Sequence, residues 1–244
     1  RNMAHSEKTV IPGIGGIETL RSNHTLVFAD KSKSMSFKTS TCDPDNAMRK
    51  NMEEIVGKVG LDFIVNVVLN SRMKVAEVFT GHFVKAHRAA CVRAMDRLGT
   101  KLVKNADITV TSAYPKDTEY SQIATCFAVL GHYKEQCVAK DGTLVAMTAA
   151  SEGAGFHALF GPGMSLFSPH DDNMPPLELK DKELYILSDG VKQTDIRQFY
   201  TGETPPVYPS WEEVLEKLEK KYEGRKPVVA IYPMGAVSIG RLDQ

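Results

Sequence analysis

The stretch Ala-Asp-Ile-Thr-Val-Thr-Ser-Ala-Tyr-Pro-Lys-Asp, residues 106–117, joins a strand pattern to a loop that carries Lys116. Residues 107–112 contain four consecutive β-branched side chains, at positions 108–111, which is typical of a strand. Residues 99–105, just before it, have the composition of a linker. The strand is therefore expected to begin a new unit of the chain.

Strand and helix patterns alternate after this first strand. Such alternation predicts a mainly parallel sheet with helices on both faces. We therefore expect an α/β fold, with a Rossmann-like second domain over residues 106–244. The predicted strands cover 143–147, 183–188 and 227–232, the predicted helices cover 121–138, 193–200 and 211–222, and a Gly-rich irregular segment fills 152–176.

The carboxyl ends of parallel strands are where such sheets bind ligands. This rule points to the loops 113–119, 149–157 and 233–238. Lys116 lies in the first loop, between a strand and a predicted helix start, where a cation suits a carboxylate or a phosphate. On position alone, a surface lysine beside a turn is an equally good interpretation. In the second loop, residues 153–155 indicate a tight turn rather than a dinucleotide fingerprint.

The first part of the chain has its own pattern. It predicts an amphipathic helix over 46–59 that ends at Gly60, and an exposed loop over 25–41 before it. A strand over 63–69 and a return strand over 74–79 predict a hairpin, and 83–98 a helix. We expect residues 1–99 to be the C-terminal part of an upstream α/β domain whose beginning precedes Arg1.

Bulk composition excludes several functional classes. Lys+Arg and Asp+Glu are both 30, so no net charge favours nucleic acid or an anionic membrane as a partner. No apolar run approaches the roughly 20 residues of a membrane helix, and no signal peptide opens the sequence. The four cysteines form no CxxC pair, which favours free buried thiols in a reducing compartment. A soluble cytoplasmic protein is expected.

Familiar catalytic motifs are absent from the sequence. There is no HExxH, no zinc-type Cys–His spacing, no GxSxG and no GxxxxGK[ST]. Lys8 and His24, however, flank a Pro-Gly turn and a helix start. An amine can hold a cofactor covalently and an imidazole can ligate a metal, although each residue alone would be ordinary.

Four stretches together resemble the nickel-dependent lactate racemase family. They keep the family's order and near-family spacing over about residues 8–117, and the likeness fades after Gly155. The matching residues are Lys8, Ile11-Pro12-Gly13, Glu18-Thr19-Leu20 and His24, then the segment 51–70, then Gly81 and Ala86-His87-Arg88, and finally 106–117.

The resemblance implies a cofactor, a nickel pincer nucleotide. Carried over residue by residue, Lys8 would be its covalent tether, His24 a nickel ligand, and the turn at Gly13 a place where backbone N–H groups approach its phosphate. The implied reaction is racemisation or epimerisation of a 2-hydroxy acid such as lactate, by hydride transfer to the tethered cofactor. Lys116 would be the catalytic residue that holds the substrate carboxylate or a developing oxyanion.

Two other functions stay open at this point. One is a sugar-acid epimerase or dehydratase on the same scaffold, and the other is a non-catalytic module that has lost the cofactor. The family's acid/base histidines would precede Arg1, and its glycine-rich run before the tether reads Asn-Met-Ala-His-Ser-Glu here. The chain alone is therefore expected to be inactive, and its sequence leaves the substrate and the oligomeric state open.

Overall fold

The chain forms two compact units in the computed structural model, unit 1 (Arg1–Gly99) and unit 2 (Thr100–Gln244). The structure describes residues 10–29, 45–159, 161–167, 181–200 and 202–242. Within these ranges, no helix is both long and apolar enough to cross a bilayer.

Six α-helices and nine strands make up the regular structure of the described residues. The helices are α1 (Ile17–Ala29), α2 (Ala47–Val59), α3 (Phe83–Arg97), α4 (Lys134–Cys137), α5 (Gln193–Ile196) and α6 (Trp211–Lys221). The strands are β1 (Ile64–Leu69), β2 (Val75–Gly81), β3 (Gly99–Lys101), β4 (Ala106–Ser112), β5 (Val138–Met147), β6 (Glu183–Leu187), β7 (Val207–Tyr208), β8 (Val229–Tyr232) and β9 (Ile239–Arg241). Three 3₁₀ helices cover Tyr120–Val129, Gly131–Tyr133 and Arg197–Phe199.

Unit 1 packs helices on a two-stranded antiparallel hairpin. The Asn46 side chain accepts a hydrogen bond from the backbone N–H of Arg49 and so begins α2, and Gly60 ends it. β1 and β2 pair antiparallel, as the hairpin pattern predicts. The His82 ring accepts from the backbone N–H of Val84 at the start of α3. The predicted helix, hairpin and following helix are confirmed.

Polar side chains lie buried between α2 and α3. Arg88 donates to Nδ1 of His87 at 2.8 Å and to Oε1 of Glu53 at 2.6 Å. Since a guanidinium only donates, the other His87 nitrogen carries the ring hydrogen, and it lies 3.4 Å from the Cys91 sulfur. Burial lowers the pKa of Arg49 to about 10, outweighing the opposing influence of Cys91 and Glu53. This interior is held by directional contacts as well as by apolar packing.

Unit 2 is built on a five-stranded sheet in which every neighbouring pair is parallel. Its strand order is β7-β6-β5-β4-β8, so β4 pairs with β5 on one side and with β8 on the other. Buried apolar side chains cover both faces, with Val214 and Leu218 of α6 on one of them. The order of the strands along the chain therefore reverses direction at β4.

Three predictions about local structure are wrong. The residues 99–105 are not only a linker, because β3 pairs there with β9. The predicted helix over 121–138 is broken into 3₁₀ turns and α4, and Val138 already belongs to β5. The predicted loop over 25–41 is helical up to Ala29, and residues 30–41 lie outside the described ranges. β7 and β9 were not predicted.

An ionic cluster closes the amino end of the sheet in unit 2. The Lys221 ammonium, at the end of α6, donates to the Asp141 carbonyl at 2.8 Å, to Oγ1 of Thr143 at 3.0 Å, and lies 3.0 Å from Oε2 of Glu183. Burial alone would raise the pKa of Glu183, but hydrogen bonds from Lys221 and Tyr185 outweigh it and lower that pKa. The cluster ties α6 to β5 and β6.

Lys221→Met keeps the aliphatic stem of this side chain and removes its charge-assisted hydrogen bonds. We expect a loss of about 1–3 kcal/mol in the free energy of unfolding, measured by urea denaturation. Glu183 binds its proton less readily when folded, so its contribution is present above about pH 4 and is lost as the pH falls. The difference in the free energy of unfolding between Lys221→Met and the wild type should therefore become smaller at acidic pH.

Lys220→Met is the matched control, because Lys220 is the exposed neighbour on the same helix. It should change stability by less than about 0.5 kcal/mol. Equal losses for the two variants would contradict a specific role for the cluster.

Candidate functional site

The order of the strands reverses beside β4, and parallel sheets bind their ligands at the carboxyl edge next to such a reversal. The loops after β4 and β8 leave this edge on either side of the reversal, and the loop after β5 lies next to them. Lys116 lies in the loop after β4, where it is partly buried and its backbone N–H donates to the Ala113 carbonyl at 2.7 Å. The structure thus puts Lys116 at the carboxyl edge of the sheet, where the sequence predicts a ligand site.

Paired backbones hold the Lys116 loop in place. Four hydrogen bonds of 2.7–3.0 Å join residues 117–121 to residues 150–154 of the loop after β5. Oγ1 of Thr148 adds a bond of 3.3 Å to the Asp117 carbonyl. Gly153 and Gly155 both have a positive φ, so the predicted tight turn there is confirmed. A Cβ on Gly155 would lie only 2.5 Å from the Glu119 side chain. The backbone that directly follows Lys116 is therefore held in place by hydrogen bonds.

The loop after β8 closes on the end of β4. A Cβ on Gly235 would lie 2.2 Å from Oγ1 of Thr111, 2.6 Å from the Cys126 carbonyl and 2.8 Å from the Ser112 carbonyl. Thr111 in turn donates to the Cys126 carbonyl at 2.5 Å. Only a glycine permits this approach, and the loop over 233–238 is thereby held against the strand that leads to Lys116.

Burial favours the neutral forms of three groups near this edge. Burial raises the pKa of the Cys126 thiol, which donates to the Met147 carbonyl at 3.5 Å. The hydroxyls of Tyr120 and Tyr200 lie 2.7 Å apart, and burial raises the pKa of both. None of these three groups is suited to act as an anionic nucleophile near neutral pH.

In unit 1, the predicted metal ligand His24 lies on α1 and is half-buried. Its Nδ1 lies 2.8 Å from the Leu20 carbonyl. Because a carbonyl only accepts, Nδ1 donates in this contact, as the second nitrogen of a metal-ligating histidine usually does. Gly13 is exposed in the turn before α1, and Lys8 lies outside the described residues.

Gly13 and His24 belong to one continuous segment, whereas Lys116 belongs to the other unit. The parts of the chain that the structure describes contain no group of three or more His, Cys, Asp or Glu side chains that could hold a metal ion. A metal at His24 would therefore need donors from other sources.

Sequence reasoning missed residues that position these candidates. Asn23 is buried on α1 beside His24, and Thr111 and Gly235 join two loops of unit 2. Their contacts connect residues far apart in the chain, so no local spacing marks them. In the sequence, the one feature that could have identified any of these residues was the polar Asn23 next to His24 in a helical segment.

No protein-family model matches the chain. Lactate racemase from Thermoanaerobacterium thermosaccharolyticum is 30% identical over 159 residues, which are 63% of this chain and 35% of that protein. Lactate racemase from Lactiplantibacillus plantarum is 28% identical over 151 residues, 61% of this chain and 33% of that protein. The chain is therefore similar in sequence to lactate racemases over about 60% of its own length, and it spans about a third of the length of these curated relatives.

Solved structures share the fold. The lactate racemase apoprotein from T. thermosaccharolyticum superposes with a TM-score of 0.71 at 19% identity, covering 97% of this chain and 58% of that chain. A protein from Thermotoga maritima gives a TM-score of 0.58 at 14% identity, covering 98% of this chain and 62% of that chain. The predicted α/β fold with a mainly parallel sheet is confirmed.

Gly235→Ala tests the close approach of the loop after β8 to the end of β4. The added methyl would meet backbone and a buried hydroxyl that cannot move easily, so we expect a loss of about 1–3 kcal/mol in unfolding free energy. Amide NMR shifts should change along residues 111–119. Gly57→Ala is the control, because a Cβ at this position of α2 would meet no other atom within 4 Å. It should not lower the free energy of unfolding. An unchanged unfolding midpoint for Gly235→Ala would contradict the close approach.

Proposed function

We propose that this chain holds a nickel pincer nucleotide and contributes to the racemisation of a 2-hydroxy acid. Lys8 would tether the cofactor, His24 would ligate its nickel, and Lys116 would bind the substrate carboxylate. The observation that carries the proposal is the fixed ring of His24, on a helix that follows a Pro-Gly turn, in a homologue of the lactate racemases. The substrate class is proposed from the same homology.

The residues present fit such a cofactor. Imidazole suits nickel, and a hydrogen bond from the second ring nitrogen to a carbonyl is the usual way in which proteins orient a ligating histidine. The described residues around His24 offer no multi-residue metal cluster. A cofactor that brings its own sulfur and carbon donors needs little more than one imidazole and a tether from the protein.

When bound, the cofactor supplies the two-electron chemistry that removes the hydrogen from carbon 2 and returns it to either face. The chain's own residues bind and orient. The Lys116 ammonium would pair with the carboxylate next to carbon 2, which limits the rotation of the substrate. Its positive charge would also stabilise the negative charge that the oxygen on carbon 2 gains when the hydroxyl loses its proton. The backbone hydrogen bonds between residues 117–121 and 150–154 hold the part of the loop that follows Lys116.

Loading the protein with cofactor tests the tether and the ligand together. The protein is co-expressed with enzymes that make the nickel nucleotide, and its intact mass and nickel content are measured. Lys8→Ala should lose both the added mass and the nickel, because the covalent bond is gone. His24→Ala should keep the added mass and lose most of the nickel, at a cost of about tenfold or more in affinity.

Lys50→Ala is the control for the tether, since this lysine on α2 is exposed and paired with Asp45. It should keep both the mass and the nickel. A Lys8→Ala protein that still carries the added mass would refute the tether.

Carboxylate binding tests Lys116. Titration of the protein with L-lactate, followed by NMR, should give a dissociation constant about 10–100 times larger for Lys116→Ala, because a charge-assisted hydrogen bond is lost. Lactamide has the same shape without the charge, so its binding should change little. Lys226→Ala, an exposed lysine before β8 at the opposite edge of the sheet, is the control. Equal weakening for lactate and lactamide would contradict the proposed role.

A further inference from the structure

Asn23 is the most deeply buried polar side chain of α1, with 1% of its surface exposed. Its Nδ2 donates to the Met48 carbonyl at 3.2 Å and to Oδ1 of Asn51 at 2.9 Å. Both acceptors belong to α2. One amide group therefore joins α1 to α2 through two directional contacts.

These contacts fix how α1 is rotated about its own axis. Consecutive residues of an α-helix are about 100° apart around the axis. With Asn23 turned onto α2, the direction in which His24 leaves the helix is set. Apolar packing alone would tolerate rotation or sliding of α1, whereas two hydrogen bonds from one amide do not.

The His24 ring is held by a second contact within α1. Its Nδ1 donates to the Leu20 carbonyl at 2.8 Å, which sets the tautomer and the plane of the ring. A Cβ on Gly15 would lie 2.9 Å from Cδ1 of Leu20, so the turn before α1 packs closely against the Leu20 side chain. The direction of Nε2 thus depends on both the rotation of α1 and the bond to Leu20.

We propose that Asn23 is a positioning residue for His24: by pinning α1 to α2, it aims the Nε2 lone pair of His24 at the nickel. This inference rests on the proposed function in one respect, the identity of the metal. The orientation of the imidazole itself does not depend on that identity.

The hydrogen-bonding pattern suggests the variants. Asn23 uses only its donor atoms, because its Oδ1 has no hydrogen-bond partner among the described residues. Asn23→Leu keeps a side chain of similar volume and removes both contacts. Asn51→Leu removes one of the two. Asn51→Asp keeps an oxygen that can accept from Nδ2 and is the conservative variant.

The first measurement uses the protein without cofactor. Two-bond ¹⁵N–¹H spectra report which nitrogen of His24 carries the hydrogen. The wild type and Asn51→Asp should show hydrogen on Nδ1, and Asn23→Leu should show a mixture of tautomers. Asn51→Leu should lie between them. Thr25→Ala, which removes a hydroxyl bond to the Arg21 carbonyl on the exposed side of α1, is the control and should leave the ring unchanged.

The second measurement uses protein loaded with the nickel nucleotide. Release of nickel to a chelator should be about tenfold faster in Asn23→Leu than in the wild type, and the nickel absorption bands should shift. Asn51→Asp should match the wild type. A variant that is only less stable would lose nickel as it unfolds. Circular dichroism is therefore recorded on the same samples to show whether the protein is folded when nickel is released.

The outcomes distinguish the positioning role of Asn23 from the proposed role of His24 as metal ligand. Wild-type ring signals and wild-type nickel release in folded Asn23→Leu would overturn the positioning role. If Asn23→Leu does not fold, Asn51→Leu decides by the same two criteria. If His24→Ala leaves the nickel in place, the proposed metal ligand is wrong, while the spectra without cofactor still decide whether Asn23 orients the ring.

Discussion

The parallel pairing of β4 with β5 on one side and with β8 on the other is the constraint on which the candidate substrate edge depends. Because all three strands run in the same direction, their carboxyl ends meet at one edge. The loops that follow must share this space, and they do so through backbone hydrogen bonds and the close approach at Gly235. The backbone at Lys116 is held by this arrangement together with its own hydrogen bond to the Ala113 carbonyl.

Unit 1 relies on a different device, polar groups buried between helices. Asn23 links α1 to α2, while Arg88 of α3 bonds to the buried His87 on its own helix and pairs with Glu53 of α2. Such contacts cost desolvation and add little net stability, but they specify one relative arrangement of the helices. A segment that must present one imidazole in one direction benefits from this specificity more than from additional apolar area.

Local patterns predicted most of the fold, and contacts between distant residues account for the rest. Helical spacing and capping residues found α2 and α3, and strand alternation found β4, β6 and β8. The pairing of β3 with β9 was not visible, because three residues at each end of unit 2 have no pattern of their own. The predicted helix after Lys116 is 3₁₀ instead, with buried residues on several sides. For the site, spacing and resemblance proposed Lys8, Gly13, His24 and Lys116, and the structure adds the contacts that hold His24 and the Lys116 loop.

The central claim is that His24 gives its Nε2 to nickel in a cofactor held by this chain. Nickel-edge X-ray absorption of the loaded protein tests it most directly, because the spectrum distinguishes imidazole nitrogen from sulfur donors. The account predicts one imidazole among sulfur donors in the wild type and the loss of that imidazole signal in His24→Ala. Identical spectra for the two proteins, or a wild-type spectrum without imidazole, would contradict it.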